Sequence, residues 1–297
     1  MTLQLKWVHQ AQFAGFYTAQ EQGHYSREGL KVNFVEGGPN IDLIQQVLDG
    51  KADFGVAAPE QILAAVERGE PVKAVAVIYR LNPMVFIAHA DTGIERPHEI
   101  PGHSIAILGS HADTQFLALL KNYDIDPEEV EWRAYEYNLQ TFLDREVDLT
   151  IGYMTGNLIR LRQEDVDVNI IWPGDYGIHF YADTLFTTDE LISSDPDLVR
   201  RFVHASLTGW RVAIEDPASA LETVMRYAQN PDRELQSQML EASIPMVYTG
   251  EAPIGWMEAT KWTGMYTMLE EHGFLNESFD PDTAYTLEFL ETIYSGE

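Results

Sequence analysis

The sequence predicts an α/β protein of two lobes, each a mixed, mainly parallel sheet flanked by helices. Three observations carry this reading. A short apolar strand, a small polar loop and an amphipathic helix closing on Gly recur along the first half of the chain, and strands alternating with helices build parallel sheets. At 297 residues the chain exceeds a typical single domain. The pattern pauses once, at the polar segment 91–102 with Pro97 and Pro101, and then restarts.

The first strand sets Leu3, Leu5 and Trp7 on one face, and a loop rich in amide and aromatic side chains follows. The next helix stops near Gly23, as a glycine just past a helix end does. A strand over 30–34 leads through Glu36-Gly-Gly-Pro-Asn40 into a helix over 41–48, with Asn40 placed as its N-cap. Residues 52–57 read as a short buried strand, and a helix runs from Pro59-Glu60 to Gly69. The near-continuous apolar run 72–79 has the composition of a strand buried on both faces, and 83–89 is another strand.

Beyond 102 the expected elements are a strand over 104–108, a loop 109–113 and a helix 114–123. A short helical turn at Asp126-Pro127 precedes a strand 131–137, a helix 139–145, and strands over 147–152 and 169–172. Residues 177–187 read as an extended return to the first lobe. The rest is helical: 196–214, with Leu198, Phe202, Ala205 and Leu207 at helical spacing, then 217–228, 233–242, 256–271 and 281–294. The expected lobes are 1–87 plus 182–297, and 88–181, closing as a clamshell on a ligand cleft between them.

Composition narrows the function classes. The net charge is −28, from 47 acidic and 19 basic residues, so no basic stripe exists to replace the counterions of a nucleic acid. The acidity reads as a solvated surface or as adaptation to high salt. Cysteine is absent, which excludes disulfides, thiolate zinc sites, cysteine nucleophiles and iron–sulfur clusters. No apolar run approaches the ~20 residues of a membrane span. Met1 stands directly before the first strand, so either the protein is cytoplasmic or a leader has been removed.

No Gly-x-Ser-x-Gly, Walker loop, Gly-x-Gly-x-x-Gly or His-Glu-x-x-His is present. The nine histidines are scattered singly, so no catalytic, cofactor or metal site is expected. The candidate ligand contacts are loop residues at strand ends, where open α/β sheets bind small molecules. Trp7, His9, Gln10, Gln12 and Phe13 form one cluster, with aromatic faces to stack on a flat ligand and amides to read its polar edge. Trp7 reads as a core or a stacking residue, and Phe13 as a contact or as packing under the loop. Asn40 and Glu60 stand at helix starts, where capping and the helix dipole give them a structural role as well. Ser110 and His111 lie in a loop before a helix N-terminus suited to an anionic or carbonyl group. Tyr153, Asn157, Asp175 and Tyr176 complete an aromatic and amide set on the second lobe.

Several stretches together resemble one superfamily. They are Trp7-Val-His-Gln-Ala-Gln-Phe-Ala-Gly-Phe-Tyr17, Gly23-His-Tyr-Ser-Arg-Glu-Gly-Leu30, Gly50-Lys-Ala-Asp-Phe-Gly55, Asp175-Tyr-Gly-Ile-His-Phe-Tyr181, Leu185-Phe-Thr-Thr188, and Asp197-Leu-Val-Arg-Arg-Phe-Val203 with Gly209-Trp210. The superfamily comprises the periplasmic receptors of ABC importers for thiamine-pyrimidine precursors and the related fungal pyrimidine synthases. The resemblance implies a type II periplasmic-binding-protein clamshell, a monomer docking on a membrane ABC permease, and an exported or lipid-anchored location, periplasmic or extracellular. It also implies a heteroaromatic ligand of the thiamine-pyrimidine type, with riboflavin-like or sulfonate and nitrate ligands as alternatives. In the pyrimidine receptors an acidic residue often follows the strand matching 149–153. Here that place reads Met154-Thr-Gly-Asn157, with Glu60 as a substitute from the other lobe. The fungal synthases use a pyridoxal-phosphate lysine, a histidine and a cysteine-rich motif. This chain has no cysteine, and Lys6 is the lysine in the first candidate site region, so the expectation is a receptor and not an enzyme.

Overall fold

The computed structural model describes residues 1–108, 113–135, 139–276 and 278–295. Its strands, in chain order, are β1 (Thr2–Gln4), β2 (Asn33–Val35), β3 (Phe54–Ala57), β4 (Val72–Val77), β5 (Met84–His89), β6 (Ser104–Leu108), β7 (Glu131–Tyr135), β8 (Leu149–Tyr153), β9 (Val168–Ile171) and β10 (Thr184–Thr188). They form two five-stranded sheets, ordered β2-β1-β3-β10-β4 and β7-β6-β8-β5-β9. In each sheet the fourth strand runs antiparallel to both neighbours and the other strands share one direction. This is the mixed, mainly parallel α/β architecture expected from the alternation of strands and helices.

The chain divides into two compact units. One comprises Met1–Asn82, Phe180–Glu270 and Leu275–Glu297, and the other Pro83–His179 and Glu271–Phe274. β5 was expected to close the first lobe. It belongs wholly to the second unit, because Met84 to Ala88 pair with β8 and Phe86 to His89 with β9. The antiparallel strand of each sheet is thus the first strand laid down after the chain changes unit.

In the first unit, helix Ala14–Glu21 ends as expected, with Gly23 in the left-handed region at φ +73° and a short helix His24–Arg27 beyond it. Helix Pro196–Glu215 buries Val199, Phe202, Val203 and Trp210 on one face. Phe202 stacks on Phe54 of β3 at 4.0 Å, and Tyr25 stacks on Phe202 at 5.5 Å. In the second unit Val85, Ile87, Leu139, Phe142, Leu158 and Leu161 build the core. The ring of His89 stacks on Phe142 at 3.8 Å while its Nε2–H donates to the Phe142 carbonyl at 2.8 Å.

Three element boundaries differ from expectation for clear reasons. The helix expected over 41–48 is Leu43–Leu48, and Asp42, not Asn40, is its cap, accepting from the Gln45 N–H at 3.0 Å. Helix Arg233–Val247 runs past 242 with Pro245 inside it, in the last turn, where a missing N–H removes only one bond. The final segment is a short 3-10 turn Pro281–Ala284 and a helix Glu288–Tyr294 rather than one continuous helix.

Candidate functional site

In the first unit β1, β2, β3 and β4 all end at one sheet edge, and antiparallel β10 begins there, since Thr184 pairs with both Ala57 and Val77. Loops leaving parallel strands at such an edge are the usual place for a ligand. Two segments meet at it: the loop after β1 and the residues just before β10.

The loop after β1 is held from several sides. Gly37 lies so close to β1 that a Cβ there would meet the Leu5 carbonyl oxygen at 2.3 Å, and its N–H donates to the Trp7 carbonyl at 3.1 Å. The His9 N–H donates to Glu36 Oε1 at 2.7 Å. The Ala11 N–H donates to Oε1 of the buried Gln236 at 2.8 Å, and the Gln229 N–H to the His9 carbonyl at 2.9 Å. A loop pinned through its own backbone presents its side chains in fixed positions.

Below this loop lies a polar relay. Gln10 Nε2 donates to Gln12 Oε1 at 2.7 Å, and Gln12 Nε2 donates to Asp183 Oδ2 at 2.6 Å. Lys6 Nζ stands 3.5 Å from Asp183 Oδ1, with the Asp183 side chain 1% exposed and that of Lys6 21%. Burial pushes the Asp183 carboxyl up from the ordinary carboxylate range, while the Lys6 charge and the Gln12 and Lys6 hydrogen bonds pull it back down. The buried hydroxyl of Tyr79 donates to Ser243 Oγ at 2.9 Å beside the Gln12 carbonyl.

Trp7 is half-buried in the loop, three residues past the end of β1. His9 belongs to an aromatic cluster: its Nδ1 lies 2.8 Å from the Tyr17 hydroxyl, and its ring is 6.0 Å from that of Tyr227, which stacks on Tyr17 at 4.4 Å. Burial lowers the His9 pKa, against an upward pull from Glu36. Phe13 is fully buried, the packing position under the loop. Asn40 is exposed in a turn, and Glu60 is half-buried in the first turn of helix Pro59–Glu67.

In the second unit Tyr153 ends β8, and its N–H donates to Asn157 Oδ1 at 3.3 Å. Asn157 therefore ties the start of helix Asn157–Gln163 back to the strand. Asp175 is exposed in the 3-10 turn Pro173–Tyr176, where the ring of Tyr176 meets Tyr123 edge-on at 5.5 Å. Ser110 and His111 lie outside the described residues. The first unit thus gathers Trp7, His9 and Gln12 at one strand edge.

The sequence reading did not include Asp183 or Gln236 among the site residues, and considered Lys6 only as a lysine for the synthase chemistry. Asp183 left a signal, because it is the one charged residue in the apolar run 180–186, and a charge in such a run is buried with a partner. Gln236 left none, since its role depends on where helix Arg233–Val247 packs. Among the described residues no group of three or more His, Cys, Asp or Glu is placed to hold a metal ion.

Two mixed sheets with this strand order, each carrying one inserted antiparallel strand, define the periplasmic-binding-protein class of fold. The alkanesulfonate-binding protein SsuA of Xanthomonas axonopodis pv. citri, solved with MOPS bound, superposes with a TM-score of 0.74 at 13% identity, covering 96% of this chain and 97% of that one. More particularly, the chain belongs to the NMT1/THI5-like family, whose model matches residues 10–220. It is 28% identical to the riboflavin-binding protein RibY of Chloroflexus aurantiacus, over 98% of this chain and 86% of that protein. It is 22% identical to the formylaminopyrimidine-binding protein of Halalkalibacterium halodurans, over 95% and 88%. It is also 25% identical to the 4-amino-5-hydroxymethyl-2-methylpyrimidine phosphate synthase of Legionella pneumophila, over 99% and 94%.

Proposed function

We propose that this chain is the substrate-binding receptor of an ABC importer, capturing a small heteroaromatic vitamin or vitamin precursor and releasing it unchanged to a membrane permease. The observation that carries the reading is the pinned loop 7–12 over the Gln10–Gln12–Asp183–Lys6 relay, at the strand edge where this fold class takes its ligands. A half-buried tryptophan beside fixed amides suits a flat ring with a polar edge. Relatives named for riboflavin and for formylaminopyrimidine support a ring ligand of the flavin or pyrimidine kind.

Tyr153 and Tyr176 are the second unit's candidate contacts, and the ligand favours whichever conformation of the receptor binds it more tightly. The receptor works as a monomer, periplasmic or extracellular and associated with the membrane. No helix among the described residues is long and apolar enough to cross a membrane.

The synthase-named relatives give a second reading, an enzyme acting through a lysine imine. Two features weigh against it. The chain has no cysteine for a cysteine-rich motif. Lys6 faces a buried carboxylate, whereas imine formation needs an amine able to lose its proton.

A thermal-shift panel of riboflavin, formylaminopyrimidine, hydroxymethylpyrimidine, pyridoxal phosphate, taurine and nitrate tests the proposal. Stabilisation by a heteroaromatic compound is the expected result. Stabilisation by pyridoxal phosphate alone, with imine absorbance, would establish the enzyme instead.

A further inference from the structure

Gln12 is held from two separate segments of the chain at once. It sits in the 3-10 turn Ala11–Phe13 and is buried there. Its Nε2 donates to Asp183 Oδ2 at 2.6 Å, and its backbone carbonyl lies 3.3 Å from the Tyr79 hydroxyl. Those two partners stand where the chain crosses between units, since it leaves the first unit after Asn82 and re-enters it at Phe180. The crossing segments are also bonded to each other. The Ile78 and Tyr79 N–H groups donate to the Asp183 carbonyl at 2.8 and 3.2 Å, and the Ala182 N–H donates to the Tyr79 carbonyl at 3.0 Å. Asn82 Nδ2 donates to the Tyr181 carbonyl at 3.2 Å. One loop residue thus grips both crossing segments, and the segments grip one another.

We infer that Gln12 is a positioning residue that couples the ligand loop to the paired crossing segments: a ligand that steadies loop 7–12 also steadies residues 78–82 and 180–183. The inference rests on the receptor reading above and adds to it how an occupied strand edge is felt where the chain changes unit. Gln10, half-buried, donates to Gln12, and Gln12 donates to Asp183, so the outer amide of the loop is tied to the buried carboxylate through one side chain. The Asp183 side chain is 1% exposed, and a buried carboxylate that loses a donor is costly. The Gln12–Asp183 bond therefore resists loosening and passes a displacement on. The residue that receives it also carries the carbonyl on which Ile78 and Tyr79 converge. Such coupling is reciprocal, so whatever loosens the crossing segments also weakens the hold of the loop on its ligand.

The test is amide hydrogen exchange resolved by residue, on the wild-type chain and on Gln12→Met and Tyr79→Phe, without ligand and with saturating riboflavin or formylaminopyrimidine. Without ligand, Gln12→Met removes the donor to Asp183 and should speed exchange at Ile78, Tyr79 and Ala182 by about tenfold or more, the range of a hydrogen bond to a charged group. Tyr79→Phe removes only a neutral hydroxyl and should speed exchange at Ile78 and Ala182 by about twofold to tenfold. In both variants the buried amides of helix Pro196–Glu215, in the same unit, should stay within about twofold of wild type. In the wild type the compound that binds should slow exchange at Ile78, Tyr79 and Ala182. In Gln12→Met that slowing should be lost while weaker binding persists. Crossing-segment exchange unaltered in both variants would overturn the inference and leave the receptor reading standing. So would acceleration spread evenly over helix Pro196–Glu215 in both, the mark of a merely structural role, or ligand-induced slowing that survives in Gln12→Met. A wild type that binds neither compound overturns the receptor reading and the inference together.

Discussion

Asp183 joins a lysine near the start of the chain to an amide on the loop beyond it, and the energetics of its burial can be checked by pH. Burial raises its carboxyl pKa in the folded protein, so the folded state holds that proton more tightly than the unfolded chain. For a raised acid, stability is fullest below the unfolded value of about 3.9 and falls as pH rises through the folded value. Asp183→Asn removes this loss. Between pH 4 and pH 7 its melting temperature should therefore shift upward relative to wild type, and a constant difference would contradict the burial argument. Asp148 shows the opposite sign. Burial raises its pKa, but the Ser104 N–H and hydroxyl and the His103 ring together leave it net lowered. Its contribution is present above the unfolded value and lost as pH falls through the folded one, so Asp148→Asn should cost most near neutrality and little in strong acid. Trp7, His9 and Gln12 were legible as a cluster because they are neighbours in sequence. Asp183 was not, because its partners are Lys6 and Gln12, and only the return of the chain to the first unit brings them together.

The contact between helices Ala14–Glu21 and Pro196–Glu215 sets how closely the first unit packs. A Cβ on Gly209 would lie 2.2 Å from the Gly15 carbonyl oxygen and 2.6 Å from the Ala19 Cβ, while one on Gly15 would meet the Trp210 ring at 2.1 Å. Backbone cannot give way as a flexible side chain can, so Gly209→Ala should destabilise the fold by about 2–3 kcal/mol, the upper range for overpacking. Urea unfolding measures this directly, and a loss below about 0.5 kcal/mol would contradict so close a crossing. The sequence predicted both helices, because apolar spacing and the Gly23 terminator are local signals. It did not predict the crossing, since an unsubstituted Cα at Gly15 or Gly209 has no meaning until its neighbour is known. The cap of helix Leu43–Leu48 makes the same point on a smaller scale. Asn40 and Asp42 are both good caps, and only the backbone decides that Asp42 accepts the Gln45 N–H.

Across the whole molecule, both sheets repeat one plan, with a single antiparallel strand in fourth place. The alternation of strands and helices made the α/β class legible. Where the chain changes unit was less so, because β5 is a fully buried apolar strand whose composition is equally at home in either sheet. The net charge of −28 adds self-repulsion that salt screens, with a Debye length of about 10 Å at 0.1 M and 3 Å at 1 M. The melting temperature should therefore rise on going from about 0.05 M to about 1 M NaCl, and a fall would mean that attractive surface pairs dominate. The central claim is that the protein captures a heteroaromatic ring and does no chemistry on it. Its most direct test is a calorimetric titration with riboflavin and, in parallel, with formylaminopyrimidine, followed by chromatography of the ligand released on denaturation. The account predicts saturable one-to-one binding of at least one of the two, with the ligand recovered unchanged. Conversion of the ligand, or no saturable binding of either, would contradict it.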